Sequence, residues 1–430
     1  MKVAIYTLGC KVNQYETNAM IQQFIENGDE IVEYDEYSDV YIINTCTVTN
    51  MSDKKSRQVI RRAKQTNSNA IVVAVGCYAQ VAKEELLKIQ DIDLVLGINE
   101  KNNIVNFLQE YIQNKERKQI TCDVMQQRDF LNFGIITYSE KTRAVIKVQD
   151  GCDRFCSYCI IPYARGRVRS RKIEDVVEEV IAISKSGIKE IVITGIHIAS
   201  YGKDFKNGIT LIDLLEELNN IDGIERIRLG SLEPTLINEE FVSRLSKLTK
   251  ICDHFHLSLQ SGCDETLKRM NRRYTTGEFM EVTQILRKFY PNVALTTDII
   301  VGFPGETEEE FRKTYNYLEK IKLYKMHVFQ YSPRKGTKAA IMPNQIPGNI
   351  KEQRSKKLIE LSNQNEFEFL NNYIGKNVEV LFEQQEGIYS KGHTTNYIEV
   401  LVENENLENI IKRVEVNKIN NVNLIGKTIL

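Results

Sequence analysis

Short apolar runs alternate with amphipathic stretches in the first part of the chain. In residues 1 to about 115 the apolar runs are VAIYTL, VYIIN, AIVVAVG and DLVLGI. Helical patterns follow at residues 17–27, 52–66, 82–89 and 102–113. Strands that alternate with helices at this length predict a parallel, doubly wound sheet.

The alternation resumes between residue 142 and about residue 331. Six strand-like runs occur here, namely RAVIKVQ, EIVITG, RIRLGS, HFHLSL, ALTTDIIVG and MHVFQY. Helical patterns lie between them, for example at residues 174–186 and 307–321. Six βα units without closure to eight predict a partial barrel, whose active site is expected at the carboxyl ends of the strands.

The last part of the chain changes character after a helical pattern at residues 350–371. Five short alternating runs with turn residues between them follow, namely VEVLFEQ, GIYSKGH, YIEVLVE, IIKRVEVNKI and NLIGKTI. They predict a small five-stranded barrel. We therefore expect an α/β protein with an N-terminal domain at residues 1–115, a polar linker at 116–140, a central domain at 141–370 and an all-β domain at 371–430.

The composition is that of a globular protein, with 42% hydrophobic and 27% charged residues in 430. No apolar run approaches the ~18 residues of a membrane span. The N-terminal apolar stretch is interpreted as a first strand and not as a signal peptide, so a cytoplasmic location is expected. Nine cysteines, an odd number, argue against a disulfide framework there and favour metal ligation or catalysis.

Cys152, Cys156 and Cys159 form a C-x-x-x-C-x-x-C motif directly after a predicted strand. Thiolates suit the soft iron of clusters, and three ligands leave one iron of a cubane cluster open to a small molecule. Zinc is the rival interpretation, but a structural zinc site usually has four ligands and a second C-x-x-C pair. The sequence has no such second pair.

Cys10, Cys46 and Cys77 each directly follow one of the first three apolar runs. The carboxyl ends of parallel strands meet at one edge of a sheet, so these thiols are predicted to converge and to hold a second cluster with an open iron. The alternative is that they are small buried residues. Cys122, Cys252 and Cys263 lack such spacing and are expected to be structural.

Cations cluster although the net charge is −1. One predicted helix carries Lys54, Lys55, Arg57, Arg61, Arg62 and Lys64, a second group is Arg165, Arg167, Arg169, Arg171 and Lys172, and a third is Lys268, Arg269, Arg272 and Arg273. A single charge run is usually a solvated face, whereas three runs beside both cysteine sets favour a surface that follows RNA phosphates. The predicted RNA contacts are Arg57, Arg61, Arg62, Arg165, Arg167 and Arg169.

Several segments resemble the methylthiotransferase family of radical S-adenosylmethionine (SAM) enzymes over nearly the whole chain. They are LGCKVNQYET, NTCTVTN, KVQDGCDRFCSYCIIPYARGRVRSR, RLGSLEP, HLSLQSG and TDIIVGFPGETEEEF. The first two are most similar to the branch that methylthiolates C2 of N6-threonylcarbamoyladenosine beside the anticodon. Two other branches, which act on isopentenyladenosine in tRNA or on a ribosomal-protein aspartate, stay open. The C-terminal barrel is similar to a TRAM domain, an RNA-binding module.

The resemblance implies two 4Fe–4S clusters, SAM both as radical source and as methyl donor, and the anticodon loop of tRNA as substrate. It also implies a flavodoxin- or ferredoxin-like electron donor, and we expect a monomer. No side chain beyond the cluster ligands receives a catalytic role. The alternatives of another class are a non-catalytic iron–sulfur RNA-binding protein, a redox sensor and a zinc-bound RNA module; cleavage of SAM would distinguish an enzyme from these.

The resemblance also suggests where SAM binds, chiefly at the carboxyl ends of the central strands. The expected contacts are Tyr158, Thr194, Gly195, Ser231, Glu233, Gln260, Arg272 and Gly302. The sequence TGIH at residues 194–197 lacks the Glu of the superfamily's Gly-Gly-Glu motif, so backbone carbonyls would replace that side chain. His197, His254 and His256 are expected to have structural roles.

Overall fold

The computed structural model describes residues 1–138, 142–403 and 406–429. Its N-terminal part is a six-stranded, fully parallel sheet in the order β2-β1-β3-β4-β5-β6. The strands are β1 (Lys2–Thr7), β2 (Glu30–Val32), β3 (Val40–Thr45), β4 (Ile71–Gly76), β5 (Leu94–Leu96) and β6 (Lys118–Ile120), and the helices are α1 (Lys11–Glu26), α2 (Asn50–Thr66), α3 (Cys77–Val81), α4 (Lys83–Leu87) and α5 (Ile104–Asn114).

The predicted doubly wound sheet is confirmed, with two differences in detail. Helix α1 begins at Lys11 and not at residue 17, because Cys10 in extended backbone is already its N-cap. Strand β6 lies inside the predicted linker, where it extends the sheet by pairing Leu94 with Lys118. The end of that linker (139 and 140) and the first residue of the predicted central domain (141) lie outside the described residues.

The central part is an open barrel made of two sheets, β10-β9-β7-β8 and β11-β12-β13. Bridges Ile227–Ile251 and Leu232–Leu257 join the sheets, and only the short β8 runs antiparallel. The strands are β7 (Arg143–Asp150), β8 (Arg169–Ser170), β9 (Glu190–Gly195), β10 (Arg226–Leu229), β11 (His254–Gln260), β12 (Ala294–Val301) and β13 (Lys325–Gln330). The helices are α6 (Ile161–Arg165), α7 (Ile173–Lys185), α8 (Leu211–Asn219), α9 (Glu239–Leu245), α10 (Asp264–Arg269), α11 (Thr276–Phe289), α12 (Glu308–Ile321) and α13 (Gly348–Asn371).

The barrel core is the largest apolar cluster of the described chain. Ile193, Leu229 and Leu257, from three of the parallel strands, are at most 2% exposed. Burying each such side chain stabilises the fold by ~1.5–3 kcal/mol. Helices α11 and α12 each begin with a capping box, Thr275 with Glu278 and Thr307 with Glu310, which satisfies backbone N–H groups at their first turns. The predicted six-unit partial barrel is therefore confirmed.

The C-terminal part is a closed five-stranded barrel in the order β14-β15-β16-β18-β17, as predicted. Its strands are β14 (Asn377–Glu386), β15 (Tyr389–Thr394), β16 (Glu399–Glu403), β17 (Ile411–Asn420) and β18 (Asn423–Thr428). Two arginines of β10 attach it to the central part: Arg226 donates to the carbonyl of His393, and Arg228 donates to the carbonyl of Thr395. In the described ranges, no helix combines the length and apolar character of a membrane span.

Candidate functional site: two sets of three cysteines

Three cysteines meet at the carboxyl edge of the N-terminal sheet. Cys10 caps α1 after β1, Cys46 directly follows β3, and Cys77 opens α3 after β4. Strands β1, β3 and β4 are adjacent and parallel, so their ends share one edge. Gly9 has a φ of +100°, and a Cβ atom there would lie 2.7 Å from the Sγ of Cys46. Only glycine therefore lets the Cys10 loop pack directly against Cys46.

A buried charge network lies beneath these thiols. It consists of Glu16, Lys101, Lys147, Asp150 and Arg165, all 0% exposed. Arg165 donates to Glu16 (2.8 Å) and to Asp150 (3.2 Å), and its Nε donates to the Sγ of Cys77 at 3.3 Å. Lys101 and Lys147 both bind Glu16, at 2.5 and 2.7 Å. Three cations face two carboxylates, so the excess positive charge favours an anionic thiolate at Cys77.

Burial opposes ionisation of the same thiols. It raises the pKa of Cys46 to about 11, with smaller contributions from Cys77 and Cys10. It also raises the pKa of Cys77, against the opposing effect of Arg165 and Lys101. Iron and zinc bind thiolates, so loading this site must release protons. A cationic metal centre with three thiolate ligands fits such a set, because it supplies the positive charge that stabilises the buried thiolates.

The second set of cysteines lies on one loop after β7. Gly151 starts the loop with a φ of +70°, and a Cβ atom there would lie 1.8 Å from the carbonyl oxygen of Arg167. The backbone N–H of Arg154 donates to the Sγ of Cys152 at 3.4 Å. The guanidinium of Arg272 donates to the Sγ of Cys156 at 3.3 Å. Donors are thus already directed at two of the three sulfurs.

The thiols of this loop are also partly withdrawn from solvent. Burial raises the pKa of Cys152 to about 11 and that of Cys159 to about 12, and Cys156 adds to both shifts. The three sulfurs are therefore close enough to interact. Within the described residues, no three His, Cys, Asp or Glu side chains are grouped closely enough to hold a single metal ion.

Glu233 is the best-defined polar group among the expected SAM contacts. It is 4% exposed, accepts a hydrogen bond from the Nε of Arg154 at 2.9 Å, and pairs with the Nε2 of His197. Burial raises the pKa of Glu233, but the hydrogen bond from His197 and the charges of Arg272 and Arg154 outweigh this effect and lower the pKa to about 2. The carboxylate therefore stays ionised.

Thr194, Gly195 and Ser231 line a cavity of about 650 Å³, and Cys10 lies in the wall of the same cavity. That volume is within the range of a ligand pocket, ~300–1,000 Å³. The cavity extends along the barrel interior to β11, β12 and β13 and is bounded by the C-terminal barrel at Tyr397. All three parts of the molecule therefore contribute to one cavity.

The other expected SAM contacts have their own partners. Tyr158 packs edge to face on Phe303, with ring centroids 6.4 Å apart. Arg272 donates hydrogen bonds to the Sγ of Cys156, to the carbonyl of Ser258 (3.1 Å) and to the hydroxyl of Tyr274 (2.9 Å).

Two further expected contacts end strands in left-handed backbone. Gln260 ends β11 with a φ of +70°, and Gly302 follows β12 with a φ of +69°. A Cβ atom at Gly302 would lie 2.3 Å from the Cγ of Lys351, so a side chain of α13 lies against this backbone.

Two of the six arginines expected to contact RNA are not on the surface. Arg165 is 0% and Arg169 is 1% exposed. Arg165 belongs to the buried charge network, and Arg169 donates to the carbonyl of Arg165 at 2.7 Å. The expectation for these two residues is wrong. Arg171, from the same charge run, is buried as well and pairs with Glu179.

The other four arginines reach solvent to different degrees. Arg61 and Arg62 of α2 are exposed, and Arg62 pairs with Asp35. Arg57 is half-buried and donates to the hydroxyl of Tyr78. Arg167 is exposed, pairs with Asp153 at 3.2 Å and lies over the ring of Phe155 at 5.0 Å.

Sequence reasoning missed His197 as a partner of Glu233. His197 follows β9 and Glu233 follows β10, and these two strands are parallel neighbours. Since the carboxyl ends of parallel strands meet at one edge, this pair could have been predicted from the sequence. His254 does hydrogen-bond Thr296 (3.2 Å), as a structural histidine would, but its Nδ1 has no hydrogen-bond partner in the described structure.

Comparison with known proteins agrees with this organisation. The radical SAM superfamily model matches residues 146–318, and the uncharacterized protein family UPF0004 matches residues 2–97. Among solved structures, the radical SAM methyltransferase TsrM from Kitasatospora setae superposes with a TM-score of 0.60 at 16% identity, covering 79% of this chain and 77% of that one. That likeness supports the fold alone.

Curated relatives match almost the entire chain. The threonylcarbamoyladenosine tRNA methylthiotransferases MtaB of Bacillus subtilis and Aquifex aeolicus are both 42% identical, covering 93% of this chain and 90% and 96% of theirs. The tRNA-2-methylthio-N(6)-dimethylallyladenosine synthase of Methylacidiphilum infernorum is 34% identical over 94% of this chain and 89% of its own. Radical SAM membership implies one 4Fe–4S cluster and SAM. The chain belongs to the radical SAM methylthiotransferase family, in the branch of the MtaB enzymes.

Proposed function

We propose that this enzyme adds a methylthio group to C2 of N6-threonylcarbamoyladenosine beside the anticodon of tRNA. One structural observation carries the proposal: the Cys10 loop and the strand ends at Thr194, Gly195 and Ser231 line the same cavity. A substrate base in that cavity would lie beside Cys10 and the carboxyl ends of the barrel strands. The two relatives at 42% identity, both named for this nucleoside, support the choice of substrate.

The six cysteines are proposed as ligands of two 4Fe–4S clusters, one on Cys152, Cys156 and Cys159 and the second on Cys10, Cys46 and Cys77. When bound, the clusters and SAM supply the one-electron and sulfur chemistry of the reaction. The protein contributes position and charge. Arg272 and Arg165 each donate a hydrogen bond to one thiolate, which favours its ionised form.

The polar groups at the strand ends are proposed to hold SAM. The ionised Glu233, fixed by Arg154 and His197, offers acceptors for an ammonium group or for ribose hydroxyls. Thr194, Gly195 and Ser231 lie in the cavity wall, at the ends of the strands that His197 and Glu233 follow. Tyr158, Gln260, Arg272 and Gly302 complete the proposed set around the barrel rim.

The proposed RNA surface consists of the exposed cations of α2 together with Arg167. Lys54, Lys55 and Arg61 reach solvent on one helix, and Arg57 and Arg62 flank them. An anticodon loop is single-stranded, so its target base can enter a cavity without the opening of a duplex. The C-terminal barrel is proposed to act as a TRAM-like RNA-binding module. A flavodoxin- or ferredoxin-like donor, a cytoplasmic location and a monomeric state complete the proposal.

We divide the chain functionally into residues 1–115 for the second cluster, 141–370 for radical chemistry and 371–430 for RNA contact, with a linker at 116–140. Strand β6 makes the first part of that linker a structural extension of the N-terminal sheet.

The test is deletion of the gene in its host, followed by mass spectrometry of the nucleosides of total tRNA. Loss of 2-methylthio-N6-threonylcarbamoyladenosine, with accumulation of its unthiolated precursor, is expected. Loss of the isopentenyl-derived nucleoside instead would assign the neighbouring substrate. Persistence of every methylthio nucleoside, in a host without a second such enzyme, would exclude tRNA. Absence of 5′-deoxyadenosine formation by the reduced, reconstituted protein with SAM would favour a redox sensor or a non-catalytic RNA-binding protein.

A further inference from the structure

The large cavity has one wall to which all three parts of the molecule contribute. Lys11 comes from the N-terminal part, His254 and Thr296 come from β11 and β12, and Tyr397 comes from the C-terminal barrel. Tyr397 has a φ of +68°, and its ring lies 5.2 Å from the imidazole of His254. We call Lys11, His254 and Tyr397 the selectivity wall.

The carboxylates that line the cavity already have basic partners. Lys325 binds Glu366 at 2.8 Å, and the Nε2 of His256 lies 3.3 Å from Asp298. The third carboxylate of the cavity lining, Glu399, binds Lys391 at 2.7 Å. In residues 1–138, 142–403 and 406–429, the ammonium of Lys11 has no ion-pair or hydrogen-bond partner. Lys11, an exposed residue in the cavity wall, is thus a cation without a counter-ion among these residues.

Two arginines lie close to the same wall. The guanidinium carbons of Arg228 and Arg143 lie 4.5 and 5.2 Å from the ring centroid of Tyr397, which lines the cavity together with Lys11. Glu190 neutralises Arg228 at 2.8 Å, and Glu383 pairs with Arg143 at 2.9 Å. A bound carboxylate would supply the remaining negative charge.

His254 provides a second, independent sign of a polar ligand. The side chain is buried, with 8% of the residue exposed, and its Nδ1 has no partner in the described structure. Burial above all, and the nearby charge of Arg228, lower the pKa of His254 well below its usual value, so the imidazole is neutral. A buried nitrogen without a partner costs free energy until a ligand hydroxyl or similar group pairs with it.

The MtaB relatives are named for threonylcarbamoyladenosine, and the synthase relatives are named for dimethylallyladenosine. The two nucleosides differ in the polarity of the substituent on N6. A threonylcarbamoyl substituent on N6 carries a carboxylate and a hydroxyl, whereas a dimethylallyl substituent is wholly apolar. We propose that Lys11 binds the threonyl carboxylate and the Nδ1 of His254 binds the threonyl hydroxyl, so that the selectivity wall selects this nucleoside. The inference rests on the proposed function and specifies which residues recognise its substrate.

The test measures equilibrium binding, without turnover, of short anticodon stem-loop RNAs to the anaerobic holoenzyme by fluorescence anisotropy. The RNAs carry N6-threonylcarbamoyladenosine, its methyl ester, the glycine analogue that lacks the hydroxyl, or dimethylallyladenosine. Hydrogen bonding to a charged group in a cavity corresponds to a preference of about 10- to 100-fold for the acid over its ester. A wild-type enzyme that binds the two equally would overturn the inference without any mutation.

Substitutions then locate the effect. Lys11→Met should bind acid and ester equally, Lys11→Arg should restore much of the preference, and the exposed Lys247→Met should behave as wild type. His254→Phe should bind the threonine and glycine forms equally while still preferring the acid over the ester. Retained discrimination in Lys11→Met, at normal iron content, would refute the role of Lys11. If the wild type binds and converts only the dimethylallyl RNA, the proposed function itself fails. If it converts the threonylcarbamoyl RNA but binds the acid and its methyl ester equally, only this inference fails.

Discussion

The two cysteine sets are assembled by different structural routes. Cys152, Cys156 and Cys159 lie within one loop after β7, whereas Cys10, Cys46 and Cys77 come from the ends of three strands. In each set one guanidinium donates to one sulfur at 3.3 Å, Arg272 to Cys156 and Arg165 to Cys77. The loop set depends on local backbone geometry, while the set at the strand ends depends on the whole sheet and on the charges beneath it.

This difference implies different weak points. Both sets should respond to a distant arginine, because Arg272 donates to Cys156 and Arg165 donates to Cys77 from far away in the sequence. The set at the strand ends should also respond to changes in the sheet, because its three cysteines follow three different strands.

The largest expected effect separates the two sets by function. Cys156→Ala should abolish formation of 5′-deoxyadenosine, because the loop loses one of its three proposed cluster ligands. Cys46→Ala should still cleave SAM but form no methylthio nucleoside. Iron analysis and mass spectrometry of products measure both. A Cys46→Ala protein with full iron content and full methylthiolation would show that the second cluster does not depend on this residue.

The buried charge network should matter more to stability than any exposed cation of the same run. Arg165→Met leaves Glu16 and Asp150 buried with fewer partners, and removing one member of a buried ion pair costs about 3–5 kcal/mol. Arg167→Met, two positions away on the surface, removes an exposed pair worth at most ~1 kcal/mol. Urea unfolding of both variants tests the difference. Equal losses would contradict the assignment of Arg165 to the interior.

Gly9 tests how closely the first two strand ends must approach. Gly9→Ala places a Cβ atom 2.7 Å from the Sγ of Cys46 and adds strain at a φ of +100°, so we expect a loss of about 1–3 kcal/mol together with loss of iron from this set. Gly28→Ala has similar strain at a φ of +83° but nothing within 4 Å. This control should be mildly destabilised and keep its iron. Iron content and thermal unfolding are measured, and similar iron loss in both variants would argue against the steric explanation.

The smallest effect concerns the metal-free thiols. Cys10 is exposed, whereas burial raises the pKa of Cys46 to about 11 and that of Cys159 to about 12. At mildly alkaline pH, iodoacetamide should therefore label Cys10 at least about 10-fold faster than the other two, because the thiolate is the nucleophile. Peptide mass spectrometry over time measures the rates. Buried Cys252 is the control and should react only after unfolding in urea. Uniform labelling of all four would contradict the described burial.

The features that the sequence predicted were those that depend on local patterns. The strand runs and the loop motif are contiguous, and the strand-end rule brought Cys10, Cys46 and Cys77 together because parallel strands share an edge. The run from Arg165 to Arg171 resembles a surface in the sequence, because Glu16, the buried partner of Arg165, is distant in the sequence. No local pattern indicates which of several cations turns inward.

The cavity shows a second limit of the same kind. His254 was expected to be structural, and its hydrogen bond to Thr296 agrees, but the unpartnered Nδ1 becomes visible only once β11, Lys11 and Tyr397 are assembled. A lone histidine in a strand has no sequence signal that distinguishes the two roles.

The buried charge network also determines how the molecule can be divided. Glu16 and Lys101 belong to the N-terminal part, while Lys147, Asp150 and Arg165 belong to the central one, so a cut between the parts exposes both halves of a single ionic assembly. A fragment that ends near residue 138 would retain one carboxylate and one lysine without the three charged partners of the central part. A chimera that exchanges the first domain between relatives must therefore transfer or preserve all five positions, whatever the similarity of the two sheets.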